Sequence, residues 1–309
     1  MSLSRDILAT LAYYDALDQP LTAFEVWKHL IDAERDAGKP DSVSLGDVIA
    51  ALDEKDLRER IILRDGFFML SGREYLVGTR IRAEKVAVAK LRRVRRLAKV
   101  LRIVPFVRMI GITGSLAMKK GNSDSDWDFF VVVRAGRIWI GRTILTGVLH
   151  IVGKRRHGNR TKDRACLNYF ITDDHLAIPT EDWFSANEYT FLVPIIGREA
   201  FRRFELKNRW IARFKPNFRP TEIMPVWFLR DSGNLSRARA LLERIFDFDV
   251  LESWLRGWQK EKIRRNPKTR IEGGHIEATD QTLVFLPHPH GPEVYEKFRK
   301  SFGELRLRG

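Results

Sequence analysis

Apolar residues in the first part of the chain recur at helical spacing. Positions three and four apart predict helices over residues 4–16, 22–30 and 45–59. Two short apolar runs then flank Asp65-Gly66, a dipeptide that favours a tight turn between antiparallel strands. The pattern therefore predicts three helices followed by a β-hairpin within residues 1–78.

A long basic amphipathic pattern follows over residues 79–104. Its apolar positions fall on one side, at Val86, Leu91, Val94, Leu97 and Leu101. Lysine and arginine occupy the other sides, from Lys90 to Lys99. We expect the apolar stripe to pack against a sheet. The cationic sides fit either a solvated connecting helix or a surface that attracts a polyanion.

The pattern then changes from helix to strand. Residues 107–113 form an apolar run that ends at Gly114 and Ser115, and a polar loop leads to Asp126 and Asp128, which open a second apolar run. Because side chains in a strand alternate between its two faces, Asp126 and Asp128 are expected to project from the same face.

This arrangement points to phosphate chemistry. Two carboxylates held side by side repel each other unless a divalent cation lies between them. Backbone amides at a strand-to-helix turn, such as the one at Gly114 and Ser115, bind phosphate. A phosphate site beside a carboxylate metal site is the equipment of phosphoryl or nucleotidyl transfer.

The stretch resembles the active-site signature of the DNA polymerase beta-like nucleotidyltransferase superfamily, in which Gly-Ser precedes an Asp-x-Asp pair. Gly114, Ser115, Asp126 and Asp128 match that signature position by position, and the similarity is tightest over residues 107–133. The resemblance implies that Asp126 and Asp128 each bind Mg²⁺, with Mn²⁺ as an alternative, and that the metals bridge a nucleoside triphosphate such as ATP. It also implies that Gly114 and Ser115 hold the β- and γ-phosphate oxygens.

Two positions depart from the pattern of the superfamily. Many relatives carry an arginine shortly after Gly-Ser, and here Lys119 and Lys120 are the candidate substitutes. Active relatives also carry a third carboxylate in the next long strand, where this chain has Asn168. Asparagine offers a carbonyl oxygen but no charge, and it cannot act as a base. The other acids near this strand are Asp163, Asp173 and Asp174.

We predict an α+β protein in three parts. Residues 1–78 resemble a winged-helix domain, residues 79–180 form the nucleotidyltransferase core with its basic leading helix, and residues 181–309 form a mainly helical C-terminal region. The third predicted helix carries several acids that would face phosphate repulsion, so a role in protein contact or packing is favoured over binding of duplex DNA.

The tryptophans of the C-terminal region have two interpretations. Trp210, Trp254 and Trp258 are expected to anchor the core, and the alternative is that they are platforms on which bases stack.

The charge composition indicates which classes of partner the protein binds. The 309 residues include 55 Lys+Arg against 40 Asp+Glu, a net charge of +15. This surplus favours nucleotides, nucleic acid or another anionic acceptor, and the alternative is general solvation of the surface. Residues 138–152 are apolar but too short for a transmembrane helix and interrupted by Arg142. With a single cysteine, Cys166, and no signal peptide, we expect a cytoplasmic protein.

Three functional hypotheses follow. The leading one is a Mg²⁺-dependent nucleotidyltransferase that moves a nucleoside monophosphate onto a hydroxyl of a polynucleotide, a protein or a small molecule. The second is a catalytically weak or inactive nucleotide- or nucleic-acid-binding regulatory protein of the same fold, which Asn168 motivates. The third is an assembly protein that acts through its N-terminal unit. The sequence leaves the acceptor and the oligomeric state open.

Overall fold

The computed structural model describes residues 3–33 and 43–307 as an α+β structure with about 51% helix. The helices are α1 (Leu3–Asp15), α2 (Ala23–Lys28), α3 (Leu45–Leu52), α4 (Lys55–Arg58), α5 (Tyr75–Leu101), α6 (Gly114–Ala117), α7 (Ile138–Ile151), α8 (Trp183–Thr190), α9 (Arg198–Lys207), α10 (Gly233–Phe246), α11 (Asp249–Arg265) and α12 (Gly291–Leu307). The strands are β1 (Ile61–Arg64), β2 (Phe67–Leu70), β3 (Val107–Ile112), β4 (Trp127–Val133), β5 (Ala165–Thr172), β6 (Val193–Ile196), β7 (His275–Ala278) and β8 (Thr282–Leu286). Two short 3₁₀ helices cover Arg209–Arg213 and Pro267–Arg270.

The N-terminal elements follow the sequence pattern closely. Strands β1 and β2 pair antiparallel around Asp65 and Gly66, both of which have positive φ, so the predicted hairpin is confirmed. Helix α2 begins after a capping box in which the Thr22 hydroxyl accepts from the Glu25 amide. The single helix predicted over residues 45–59 is wrong, because α3 ends at Leu52 and α4 begins at Lys55.

The core of the N-terminal elements includes side chains from the far end of the chain. Buried residues of α1, α2 and α3 pack in one cluster with Val294 and Phe298 of α12. The ring of Tyr13 meets the ring of Phe298 edge to face, with 5.7 Å between their centroids. Helix α12 is therefore part of the N-terminal core.

A buried polar network ties α1 to the region around α8. The Lys215 ammonium donates to the Tyr14 hydroxyl and to Asn187 Oδ1, each at 3.0 Å, and the Tyr14 hydroxyl donates to the same Asn187 oxygen at 2.6 Å. All three residues are buried. Burial of the ammonium lowers the pKa of Lys215 to about 7.

Six strands form a mixed sheet in the order β6-β3-β4-β5-β8-β7. Strands β4 and β5 are parallel, and the other neighbouring pairs are antiparallel. On one face, Trp127, Phe129 and Val131 pack with residues of α5, α7 and α11. On the other face, Phe130 and Val132 pack with residues of α8 and α9. The predicted mixed sheet with flanking helices is confirmed at this level.

The long basic helix packs as its stripe predicts. Leu91, Val94 and Leu101 of α5 are buried in the core on the first face of the sheet. One of its cations is also internal, because Lys90 is 1% exposed and donates to the carbonyl of Ser125 at 2.6 Å. Among the described residues, no helix combines the length and the apolarity that crossing a membrane requires.

Candidate functional site

The two aspartates lie where β4 begins. Asp126 immediately precedes the strand and Asp128 is its second residue. Alternation along β4 puts Asp128 on the face of Phe130 and Val132, which α8 and α9 cover. A hydrogen bond from Lys90 of α5 to the Ser125 carbonyl holds the loop before the strand. The side chain of Asp126 therefore projects from a backbone that is fixed in place.

The acids form a cluster with a residue of the neighbouring strand. Ligand atoms of Asp126, Asp128 and Cys166 all lie within 4.8 Å of one another, a group that can hold a metal ion. The parallel register of β4 and β5 sets Cys166 opposite Asp128. The prediction that Asp126 and Asp128 share one side is therefore confirmed, and Cys166 joins them.

Burial and mutual repulsion change the protonation of this cluster. Burial, followed by the charges of Asp126 and Glu188, raises the pKa of Asp128 to about 7. Burial, followed by the charge of Asp128, raises the pKa of Cys166 to about 11. The thiol is therefore protonated at neutral pH, and the carboxylates are the oxygen donors of the cluster.

An arginine balances part of the negative charge. Arg156, in the basic loop after α7, donates to Asp126 Oδ2 at 2.5 Å and to Cys166 Sγ at 3.4 Å. It forms an ion pair with Asp126, which offsets the negative charge of that carboxylate. Asp128 remains buried beside other acids.

Asn168 lies beside Asp128. Its Nδ2 donates to Asp128 Oδ1 at 3.0 Å. Its Oδ1 is buried and has no hydrogen-bond partner among the described residues. A β-bulge in β5 brings Asn168 to this position, because Leu167 and Asn168 together lie opposite the single residue Phe129 of β4. The site thus contains an amide oxygen available to a further ligand.

The Gly-Ser corner adjoins the acids and already has a protein partner. The Gly114 amide donates to Glu188 Oε1 of α8 at 2.7 Å. Gly114 has φ +65°, and a Cβ there would lie 2.7 Å from Asp128 Oδ2, so only glycine fits. Burial raises the pKa of Glu188, which the hydrogen bond from Gly114 partly offsets. Glu188 is a third carboxylate at the site, supplied by a helix rather than by β5.

The remaining predicted phosphate contacts differ in availability. Ser115 is exposed at the start of α6. Lys119 pairs with Glu84 of α5 at 2.6 Å. Lys120 donates to the carbonyl of Leu17, and burial lowers its pKa. Both lysines are thus engaged by other parts of the protein.

The other candidate acids are held elsewhere. Asp163 forms ion pairs with Lys90 and Arg93 of α5. Asp173 accepts from the Ala135 amide at 2.9 Å, beyond the opposite end of β4, and Asp174 is exposed beside it. None of these three belongs to the cluster of Asp126, Asp128 and Cys166.

Sequence reasoning did not identify Cys166, Arg156 or Glu188 as members of this site. Cys166 could have been found, because it alternates with Asn168 on a strand expected next to the acids. Arg156 was one of several cations in a basic loop, and Glu188 comes from a helix whose position depends on tertiary packing. No local pattern singles out these last two.

No protein-family model, no curated protein and no solved structure matches this chain.

Proposed function

We propose that the protein is a metal-dependent nucleotidyltransferase that transfers a nucleoside monophosphate from a triphosphate to a hydroxyl group. The observation that carries the proposal is the pair Asp126 and Asp128, held with Cys166 within 4.8 Å next to the Gly114 turn. The raised pKa of Asp128 supports it, because a buried carboxylate among other acids gains most from a bound cation.

The donor set fits Mg²⁺ better than a softer metal. Asp126 and Asp128 provide charged oxygens, and the unpartnered Oδ1 of Asn168 provides a neutral one. The protonated thiol of Cys166 is a poor ligand for a hard cation. When bound, the metal would offset negative charge on the triphosphate and on the departing pyrophosphate. Mn²⁺ accepts the same oxygens.

The remaining steps are bond formation at the α-phosphorus, loss of the hydroxyl proton and binding of the phosphates. The acceptor oxygen forms a bond to the α-phosphorus as the bond to pyrophosphate breaks. The hydroxyl proton leaves to water, because Asn168 replaces the carboxylate that would serve as base. Ser115, exposed at the turn, would contact the phosphates, and the Gly114 amide becomes available when Glu188 releases it.

The alternative is a nucleotide-binding protein of the same class without transfer activity. Two contacts favour it. Glu188 accepts the hydrogen bond of the Gly114 amide, and Arg156 forms an ion pair with Asp126. In that case metal and triphosphate bind, but no bond is made.

One assay distinguishes the two functions. The protein is incubated with Mg²⁺, each labelled nucleoside triphosphate in turn, and cell RNA or lysate, and the label on macromolecules is followed. Transfer of label supports the nucleotidyltransferase. Metal-dependent binding of triphosphate with no transfer supports the silent binding protein, and absence of both contradicts the proposed site.

Asn168→Asp is expected to strengthen metal binding. In the absence of metal, a third acid next to Asp128 adds charge repulsion. In the presence of metal, it provides a further anionic ligand. The variant should melt a few degrees lower than the natural protein in EDTA and show a larger rise in melting temperature on addition of Mg²⁺. Thermal melts with and without Mg²⁺ measure both effects. Asn168→Ser, which lacks the charge, is the control and should not gain affinity.

Glu188→Ala is expected to tighten triphosphate binding by roughly 5- to 10-fold, because it frees the Gly114 amide and removes a negative charge. Glu188→Gln removes the charge but keeps an oxygen that accepts from the amide, so it should gain less. Equilibrium binding of a labelled triphosphate in Mg²⁺ compares the variants. Weaker binding by Glu188→Ala would instead place Glu188 among the groups that hold the metal.

A further inference from the structure

Helices α10 and α11 and the turn between them expose several large apolar side chains among charged residues. None of the residues of α10 is buried, and α11 buries only Leu255 and Gln259. The large apolar side chains exposed on this pair of helices and the turn between them are Leu241, Ile245, Phe248, Val250, Trp254 and Trp258. Contrary to the expectation that they anchor the core, Trp254 is 64% exposed and Trp258 is 50% exposed, whereas Trp210 is buried as predicted. Exposed aromatic surface of this kind marks a binding site.

The two indoles are arranged in parallel. Trp254 and Trp258 are four residues apart and lie on one side of α11. Their planes differ by 3° and their centroids are 6.4 Å apart. The neighbouring stripe of the helix is fixed to the core through Leu255 and through Gln259, which donates to the Trp139 carbonyl at 3.0 Å. The helix therefore presents two similarly oriented flat faces on a rigid support.

Positive charge adjoins the rings. The Lys262 ammonium lies over one face of Trp258, 5.2 Å from the ring centroid. Trp258, Glu261, Lys262, Arg265 and Asn266 line a cleft of about 360 Å³. Glu261 is shared by Arg264 and Arg265, so its single negative charge is more than balanced. The cleft beside the tryptophans is thus net positive.

We infer that Trp254 and Trp258 form a binding site for single-stranded nucleic acid. Unpaired bases stack on the indole faces that Lys262 leaves open, and the phosphates between them lie near Lys262 and Arg265. Stacking platforms combined with cations are how proteins hold single strands without reading their sequence. The complementary charge of the strand favours this occupant over an uncharged protein surface, and its flat bases match the parallel rings. The inference does not depend on the chemistry at Asp128.

Fluorescence anisotropy with a labelled oligouridylate and an oligothymidylate tests the inference on the full chain. We expect binding that weakens with salt and quenches tryptophan emission. Trp254→Leu and Trp258→Leu keep an apolar side chain but lose the aromatic face, and each should weaken binding by about tenfold. Ile223→Ala, a change to an exposed apolar residue outside α10 and α11, is the control and should bind as the natural protein does.

An abasic oligonucleotide of equal length separates stacking from charge, because it keeps the phosphates and lacks the bases. It should bind at least about tenfold more weakly than the complete strand. Equal affinity for both strands, or full binding by the tryptophan variants, would overturn the inference. Failure to bind either oligonucleotide would also overturn it. Sedimentation with phosphatidylserine vesicles would then assign the face to a membrane, and a dimer that the leucine variants lose would assign it to a second copy.

Discussion

Asp128→Asn is expected to lower nucleotide transfer by about 100-fold or more and, at the same time, to raise the melting temperature at pH 8. The folded protein raises the pKa of this carboxyl from 3.8 to about 7. The unfolded chain therefore binds fewer protons than the folded one between these values, and stability falls as pH rises from about 4 to 7. Asparagine has no charge to bury and still accepts the bond from Asn168. The stabilisation should be larger at pH 8 than at pH 5.

Asp126→Asn is the matched control for the charge effect. It should abolish transfer equally, because it removes the other carboxylate of the cluster. It should not stabilise the protein, because Arg156 already neutralises Asp126 and would lose its partner. Thermal melts across pH, with label transfer measured on the same samples, compare the variants. Retained transfer in either variant would contradict the proposed site, and equal stabilisation by both would contradict the assigned role of Arg156.

The second large effect concerns Lys215. Burial lowers its pKa from 10.5 to about 7, so the unfolded chain binds more protons than the folded protein between these values. Stability should therefore rise with pH above 7, by up to about 1.4 kcal/mol for each pH unit. Lys215→Met should remove most of this rise and stabilise the protein at pH 7, because the Tyr14 hydroxyl still satisfies Asn187.

Chemical denaturation between pH 7 and 8.5 measures this dependence. In that window the buried tyrosines, whose pKa values are raised, stay protonated. The raised pKa of Cys166 adds a small opposite slope near pH 8.5, where the unfolded thiol begins to lose its proton. Lys207→Met, an exposed lysine on α9, is the control and should leave the slope unchanged. A slope that survives Lys215→Met would mean that another group carries the pH dependence.

Local rules were sufficient for much of the fold. The Asp65-Gly66 turn specified the hairpin, and the stripe of α5 specified which side packs on the sheet. Alternation specified that Asp126 and Asp128 share a side. In each case the determining interaction joins residues close in sequence, so the pattern itself contains the answer.

The rest depended on packing between distant elements. Glu188 reaches the Gly114 amide because α8 covers one face of the sheet, and Arg156 reaches Asp126 because a loop folds back over β5. Trp254 and Trp258 were expected inside because large aromatic residues usually are, and they lie outside because Leu255 and Gln259 take the inward side of α11. Spacing alone does not say which of two neighbouring stripes faces the core.

The packing of α12 against α1 has a consequence for synthesis. Val294 and Phe298 complete a core most of whose other members, from Ile7 to Leu70, emerge from the ribosome more than two hundred residues earlier. Until they arrive, the rings of Tyr13 and Trp183 lack the neighbour that covers them. The apolar surface of the N-terminal elements therefore stays partly exposed during most of translation, and chaperones can bind it in that period.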